Sequence, residues 1–125
     1  MKKEFFAKLT TPILYNNETL DELKVYVDYE KEGGNAMYGS YDDGGIYVYL
    51  KPVHREGCVT TYSFLGNKYE SGFKYLVKPL NRKSQKQIDL AAAKIEPLVN
   101  DFAKLWDEKD FNIKIAKQIE ITFGI

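Results

Sequence analysis

The chain of 125 residues has one cysteine and one histidine, and this scarcity excludes several kinds of site. Cys58 alone forms neither an intramolecular disulfide nor a thiolate metal cage, so nothing in the sequence requires an oxidising compartment. His54 alone excludes a multi-histidine metal site. His54 lies four positions before Cys58, but a nucleophilic pair is less expected than a cysteine that packs as a small apolar side chain. We therefore predict a protein that is not an enzyme and has no metal or cofactor.

The sequence also lacks long apolar runs. No run approaches 18 residues, and Glu4 and Lys8 interrupt the first segment, where a signal peptide needs an apolar core. We expect a soluble protein with no membrane partner. Arginine is scarce, with two Arg against 16 Lys, and Asn, Ile and Tyr are abundant. This bias is typical of AT-rich genomes and favours the cytoplasm of a bacterial cell or of a phage-infected host.

The glycine pairs match no known nucleotide-binding pattern. Gly33-Gly34 and Gly44-Gly45 lack both the dinucleotide fingerprint and the Gly-Lys-Ser/Thr ending of a phosphate loop. Asp42-Asp43 lacks the alternating oxygen ligands of a calcium loop. Short Asp-Asp-Gly-Gly runs are typical of turns, so we interpret these segments as turns or hinges.

The composition fits one globular domain over residues 1–125. Hydrophobic residues make up 44% and charged residues 29%, and ten Tyr with seven Phe favour a sheet. Residues 3–30 are predicted to form a long hairpin that turns at Asn16-Asn17. Its second arm alternates regularly, with one apolar and one acidic solvent face. Irregularity at Phe5-Phe6 and at Pro12 predicts a bulge or an edge strand in the first arm.

Three further strands are predicted at residues 46–53, 58–65 and 73–80, in sequence order as a meander. Residues 36–41 alternate weakly, and the sequence leaves open whether they form a strand or a loop. The tail at 111–123 also alternates, which predicts a closing strand. A short amphipathic helix through Ile115 and Ile119 is the alternative.

A helix is predicted from Ser84 to Trp106. Ser84 and Gln87 have the spacing of a capping box. Pro97 removes a backbone donor, so we expect a kink near Ala93 or a break into two helices. An apolar stripe runs along one face, comprising Ile88, Ala91, Ala92, Ile95, Leu98, Val99, Phe102, Leu105 and Trp106. The predicted fold is α+β: an antiparallel sheet of about five or six strands packed on one long kinked helix and closed by a C-terminal strand.

A net charge of zero conceals an uneven distribution. Residues 51–86 carry eight Lys or Arg against two acidic residues, or +6, whereas residues 1–50 carry −4 and residues 87–125 carry −2. This basic segment ends on Arg82-Lys83-Ser84-Gln85-Lys86, at the predicted helix start, where the macrodipole disfavours cations and attracts anions. Locally unfavourable residues of this kind often mark a site.

Tyrosine and lysine interleave on the predicted strands. If Ile46, Val48 and Leu50 face the helix, the opposite face carries Tyr47, Tyr49, Lys51, Tyr62, Lys74 and Lys78. Aromatic and cationic side chains on a sheet stack bases and hold phosphates, although tyrosines also cover sheets simply because they suit strands. We therefore predict a small binding protein with an anionic ligand, nucleic acid or nucleotide. The predicted ligand-binding residues are Lys51, Arg55, Lys74, Lys78, Arg82, Lys83, Ser84 and Lys86, with Tyr47, Tyr49 and Tyr62 as stacking surfaces.

The alternative is a structural or regulatory protein of a phage or mobile element. In that hypothesis the acidic strand face at residues 22–30 and the basic segment are complementary patches, which give self-assembly or docking on a protein partner. Overall neutrality favours this alternative, because nonspecific nucleic-acid binders usually carry net positive charge. A homo-oligomer interface is expected if Trp106 and Phe111 are exposed.

Overall fold

The computed structural model of the protein describes residues 2–15, 18–35, 40–42, 44–53, 62–63 and 72–125. It is an α+β fold in which the strands precede the helices. The strands are β1 (Lys3–Tyr15), β2 (Glu18–Glu30), β3 (Gly33–Asn35), β4 (Ser40–Asp42), β5 (Gly45–Val53), β6 (Tyr62–Ser63) and β7 (Gly72–Pro79). The helices are α1 (Gln85–Ile95), α2 (Val99–Leu105) and α3 (Phe111–Phe123), and a 3₁₀ turn (Glu96–Leu98) joins α1 to α2.

Four antiparallel strands form a meander in the order β1, β2, β5, β7, and the two-residue β6 adds to the outer edge of β7 in parallel. The prediction that residues 58–65 lie between the strands at 46–53 and 73–80 is therefore wrong. Alternation of apolar and polar residues predicts where strands occur but not which strands pair. β5 pairs directly with β7, which is longer than β6. Of the predicted 58–65 strand only residues 62–63 fall within the described part.

A separate two-stranded ladder joins β3 to β4. Gly33 and Gly34 thus belong to a short strand, where a turn or hinge was expected. Ser40 and Tyr41 are in β4, which answers part of the open question about residues 36–41; residues 36–39 lie outside the described residues. The predicted turn at Asn16-Asn17 also lies outside them.

The long hairpin is confirmed. Core-facing Leu23, Val25 and Val27 on β2 are completely buried. Strand β1 is at an edge of the sheet, as predicted, and its register with β2 shifts between Lys8 and Ile13, the interval that contains Pro12. Phe5-Phe6 pairs regularly with β2, so the irregularity expected there is not found.

The helical layer covers one face of the sheet. Ile88, Ile95 and Phe102 on the helices are completely buried in the same cluster as Val48 and Leu50 of β5. The predicted apolar stripe is therefore confirmed as core, with only Leu98 and Leu105 half-buried. Burial of this stripe supplies the main favourable free energy for docking helices on the sheet.

The single long helix is corrected to two helices. α1 ends at Ile95, and Pro97 occupies the beginning of the 3₁₀ turn that precedes α2. A proline is tolerated at the start of a helical segment because its missing N–H has no intrahelical acceptor there. The break lies two to three residues beyond Ala93, where the kink was expected, and it matches the alternative of two short helices.

The predicted closing strand at residues 111–123 is wrong, because the segment forms the helix α3. Phe111, Ile115 and Ile119 are buried at helical spacing, which is the alternative that the sequence left open. Gly124 ends the helix in the left-handed conformation, with φ of 72°. Trp106 and Phe111 are both buried, with ring centroids 4.5 Å apart, so the condition set for an oligomer interface there is not met.

Candidate functional site

The predicted tyrosine surface is buried. Tyr47 and Tyr49 lie on the sheet face opposite the helices, as expected, but they are only 1% and 7% exposed. Tyr49 stacks on Tyr26 of the neighbouring strand, with ring centroids 4.5 Å apart and an interplanar angle of 13°. Neither Tyr47 nor Tyr49 is therefore an open platform for a base. Tyr62 belongs to β6 through its backbone, and its side chain lies outside the described part of the chain.

Lys74 of the same face is already paired. Its Nζ donates to Glu30 Oε1 at 3.1 Å and lies 5.1 Å from the ring centroid of Tyr47. The Tyr49 hydroxyl donates to the other carboxylate oxygen of Glu30 at 2.5 Å. Burial, followed by this hydrogen bond, raises the pKa of Tyr49 far above its ordinary value. With its side chain only 11% exposed, Lys74 is held within the fold by Glu30.

Paired charges also occupy the β1–β2 end of this face. Lys24 and Lys2 contact Glu4 at 3.3 and 3.1 Å, and both ammonium groups lie about 5 Å from the Tyr26 ring centroid, at 5.2 and 5.0 Å. Hydrogen bonding to Lys2, then to Lys24, lowers the pKa of Glu4. Glu22, Asp28 and Glu30 are half-buried, so the acidic side of β2 is not the open solvent face that the sequence predicted.

A register shift in β7 separates Lys78 from Lys74. Tyr47 pairs with Leu76 and Ile46 pairs with Lys78, so Val77 is the additional residue of a bulge. Paired residues share a face, and Lys78 therefore lies on the helix side of the sheet. A Cβ on Gly45 would collide with the carbonyl oxygen of Lys78, so glycine is required for this close approach.

Lys78 joins three other predicted ligand-binding residues in one exposed region. We call Lys78, Arg82, Lys83 and Lys86 the basic rim; it runs from the end of β7 through the connection into the first turn of α1. All four side chains are exposed, and none forms an ion pair with the residues that the structure describes. The first turn of α1 contains no acidic residue.

Ser84 caps α1, as its spacing predicted. Its hydroxyl oxygen accepts from the backbone N–H of Gln87 at 3.3 Å, and its carbonyl accepts from the N–H of Ile88 at 3.1 Å. The N–H groups of Gln85 and Lys86 precede the first i to i−4 hydrogen bond and point out of the helix start. A shallow depression near the end of β7 is lined by Glu32, Gly44, Pro79, Leu80 and Asn81.

A cleft of about 530 Å³ adjoins the rim between β7, α1 and α3. Its lining comprises Val77, Lys78, Pro79, Gln87, Leu90, Ala91, Lys94, Phe123 and Ile125. The sequence identified only Lys78 of this set. Phe123 was missed as a lining residue because residues 111–123 were assigned to a strand. The helical spacing of Ile115 and Ile119 is the sequence signal that indicates a helix here and places Phe123 on it.

Of the remaining predicted ligand-binding residues, one lies on the sheet and one lies outside the described residues. Lys51 is half-buried on β5, opposite Lys24 in the ladder. Arg55 lies outside the described residues, as do His54, Cys58 and Asp43. The basic rim therefore comprises four of the predicted ligand-binding residues, and Ser84 caps α1 beside Lys83. Lys51 and Lys74 do not belong to it.

Comparisons of the chain with protein families, with curated proteins and with solved structures gave no significant match. Within the described residues, no three His, Cys, Asp or Glu side chains are grouped as metal ligands. The helices in the same part of the chain are all too short or too polar to cross a membrane.

Proposed function

We propose that the protein is a small, non-enzymatic binding protein that holds a phosphate-bearing anion, nucleic acid or nucleotide, at the basic rim. The observation that carries the proposal is the grouping of Lys78, Arg82, Lys83 and Lys86 without carboxylate partners among the described residues. Lys74 and Lys24 show the contrast, since each contacts a glutamate.

The position of the basic rim at the N-terminus of α1 also favours an anion there. Cations near a helix N-terminus oppose the macrodipole, whereas an anion there is attracted both by the dipole and by the first-turn N–H groups. Each exposed cation is disfavoured by about 0.3 to 1 kcal/mol at such a position. A phosphate between Lys83, Lys86 and the N–H groups of the first turn converts this repulsion into attraction. Long lysine side chains also reach into water, which lowers the cost in the free protein.

The proposal differs from the sequence-based hypothesis in its geometry. Tyr47 and Tyr49 are buried and Lys74 is paired, so phosphate contacts and not base stacking provide the affinity. Binding of this kind is largely independent of nucleotide sequence. The alternative, self-assembly through an acidic strand face, is favoured less because Glu30 is already bonded to Tyr49 and Lys74.

The test compares thermal melting of the wild type with that of Lys83→Glu/Lys86→Glu. Phosphate, a nucleotide and a single-stranded oligonucleotide are each added at increasing concentration. A ligand that binds only the folded state raises the melting temperature with its concentration, so the wild type should respond to at least one ligand. The double variant should lose that response.

The matched control is Lys104→Glu/Lys109→Glu, which makes the same charge change at exposed positions at the end of α2 and in the loop after it. The control should respond as the wild type does. Equal responses of all three proteins to every ligand would show that the start of α1 is an ordinary solvated terminus.

A further inference from the structure

The cleft between β7, α1 and α3 has apolar walls that are open to water. Leu90 is 51% exposed and Ile125 is 62% exposed. The apolar part of the lining also includes Val77, Pro79, Ala91 and Phe123. Covering apolar surface of this kind is favourable in proportion to the area removed from water. The volume of about 530 Å³ is within the range of pockets that enclose small organic ligands.

Helix α1 places both polar and apolar groups along one wall. Gln87, Leu90, Ala91 and Lys94 are spaced at i, i+3, i+4 and i+7, so they lie on the same face of the helix. The ammonium group of Lys94 lies 5.2 Å from the ring centroid of Phe123 on α3. Lys78 lines the opposite side, from β7. Two cations therefore flank an apolar recess, and none of the described residues that line it has an acidic side chain.

We propose that this cleft binds a small organic carboxylate with an apolar chain, such as a medium-chain fatty acid. The chain lies against Leu90, Phe123 and Ile125, and the carboxylate lies within reach of Lys78 and Lys94. An ion pair at the edge of an apolar recess is stronger than one in open water because the surroundings are less polarisable.

This site goes beyond the proposed function and does not depend on it. Only Lys78 is common to the cleft and the basic rim. The rim offers exposed cations and helix N–H groups that suit phosphates, whereas the cleft offers apolar walls that phosphates and sugars do not require.

The experiment follows amide chemical shifts by NMR while octanoate is added to the full chain. Neutral 1-octanol tests the contribution of the charge, and acetate tests that of the chain. We expect saturable shifts at the cleft residues with a dissociation constant below about 1 mM for octanoate. Both 1-octanol and acetate should bind at least about tenfold more weakly, which corresponds to about 1.4 kcal/mol.

Two variants and two matched controls locate the site. Leu90→Glu and Lys94→Glu change exposed positions of α1 and should each weaken octanoate binding by about tenfold or more. Ile113→Glu and Lys104→Glu make the corresponding aliphatic-to-Glu and Lys-to-Glu substitutions at exposed positions of α3 and α2, and both variants should bind as the wild type does. Lys83→Glu/Lys86→Glu should also retain octanoate binding, which separates this site from the basic rim.

Three results would overturn the proposal. The first is the absence of saturable shifts up to about 10 mM octanoate, ten times the expected limit. The second is equal binding of octanoate and 1-octanol, since the lysines would then have no role. The third is binding of octanoate outside the cleft, seen as an unchanged affinity in Leu90→Glu and Lys94→Glu or as shifts that map to the exposed Ile113 and Ile121 of α3.

Discussion

Two tyrosine hydroxyls connect separate elements by donating to carboxylates. Tyr49 on β5 bonds Glu30 on β2, and Tyr75 on β7 bonds Glu120 on α3 at 2.6 Å. Burial, followed by the hydrogen bond to Glu120, raises the pKa of Tyr75 from its ordinary value of 10.0 to about 12. Hydrogen bonds to charged groups contribute more to stability than neutral ones. The Tyr75 bond therefore fixes α3 against the sheet and also makes the docking of α3 dependent on pH.

Tyr75→Phe should lower the free energy of unfolding at pH 7 by about 1 to 2 kcal/mol, the lower part of the range for charged hydrogen bonds because the site is partly exposed. A raised pKa in the folded state stabilises the protein fully below pH 10, and this contribution is lost as the pH rises from 10 through about 12. The difference between wild type and variant should therefore shrink across that window. Urea denaturation at a series of pH values measures it, and a constant difference from pH 7 to 12 would contradict the assignment.

Phe102→Ala tests the core at the residue scale. The ring is completely buried between helix and sheet, so its removal should lower the free energy of unfolding by about 3 to 5 kcal/mol. Urea denaturation monitored by circular dichroism is the measurement. A loss under about 1 kcal/mol would mean that the ring is not enclosed.

At the scale of elements, the sequence predicted helix or strand correctly where the apolar residues follow one clear period. Residues 20–30 have a clear period of two and were assigned correctly as strand. Residues 88–106 have a period of 3.6 and are helical as predicted, but as two helices divided at Pro97. Residues 111–123 satisfy both periods, because Ile113, Ile115, Ile119 and Ile121 alternate and two of them also stand four apart. Helix α3 packs against β7 and α2, and this packing buries Phe111, Ile115 and Ile119. The local sequence alone does not determine which face of the segment is buried.

A pair of substitutions distinguishes the two assignments of this segment. In the helix α3, Ile119 is completely buried and Ile121 is 73% exposed. Ile119→Ala should lower the free energy of unfolding by about 2 to 5 kcal/mol and Ile121→Ala by less than about 0.5 kcal/mol. Both residues would lie on the same face of a strand. Equal losses in urea denaturation would therefore contradict the helix.

The candidate site shows the same division between local and long-range information. The Ser84 cap was predicted correctly because it depends on residues close in sequence. The four cations of the basic rim are exposed, and their role in binding stays a prediction. Lys74 and Lys78 were placed on one surface because they are four apart in a predicted regular strand. The bulge at Val77 separates them, and Glu30, distant in sequence, pairs with Lys74.

At the scale of the whole molecule, folding redistributes the charge that the sequence segregates. The segment at 51–86 carries +6, but Lys74 is neutralised by Glu30 of β2. The basic rim retains four exposed cations along the connection from β7 into α1, in a protein with zero net charge. Positive charge that is concentrated locally raises the electrostatic potential for anions there, although the protein has no net positive charge.

The most direct test of the central claim is the salt dependence of binding to a fluorescently labelled single-stranded oligonucleotide, measured by anisotropy. Single strands give a log-log slope of about −0.7 per phosphate neutralised, so four rim cations predict about −3 for the wild type. Lys83→Ala/Lys86→Ala should reduce the magnitude to about −1.5, and Lys104→Ala/Lys109→Ala should leave it unchanged. Anisotropy that stays flat to high micromolar protein at low salt, or a slope that the rim substitutions do not alter, would contradict the account.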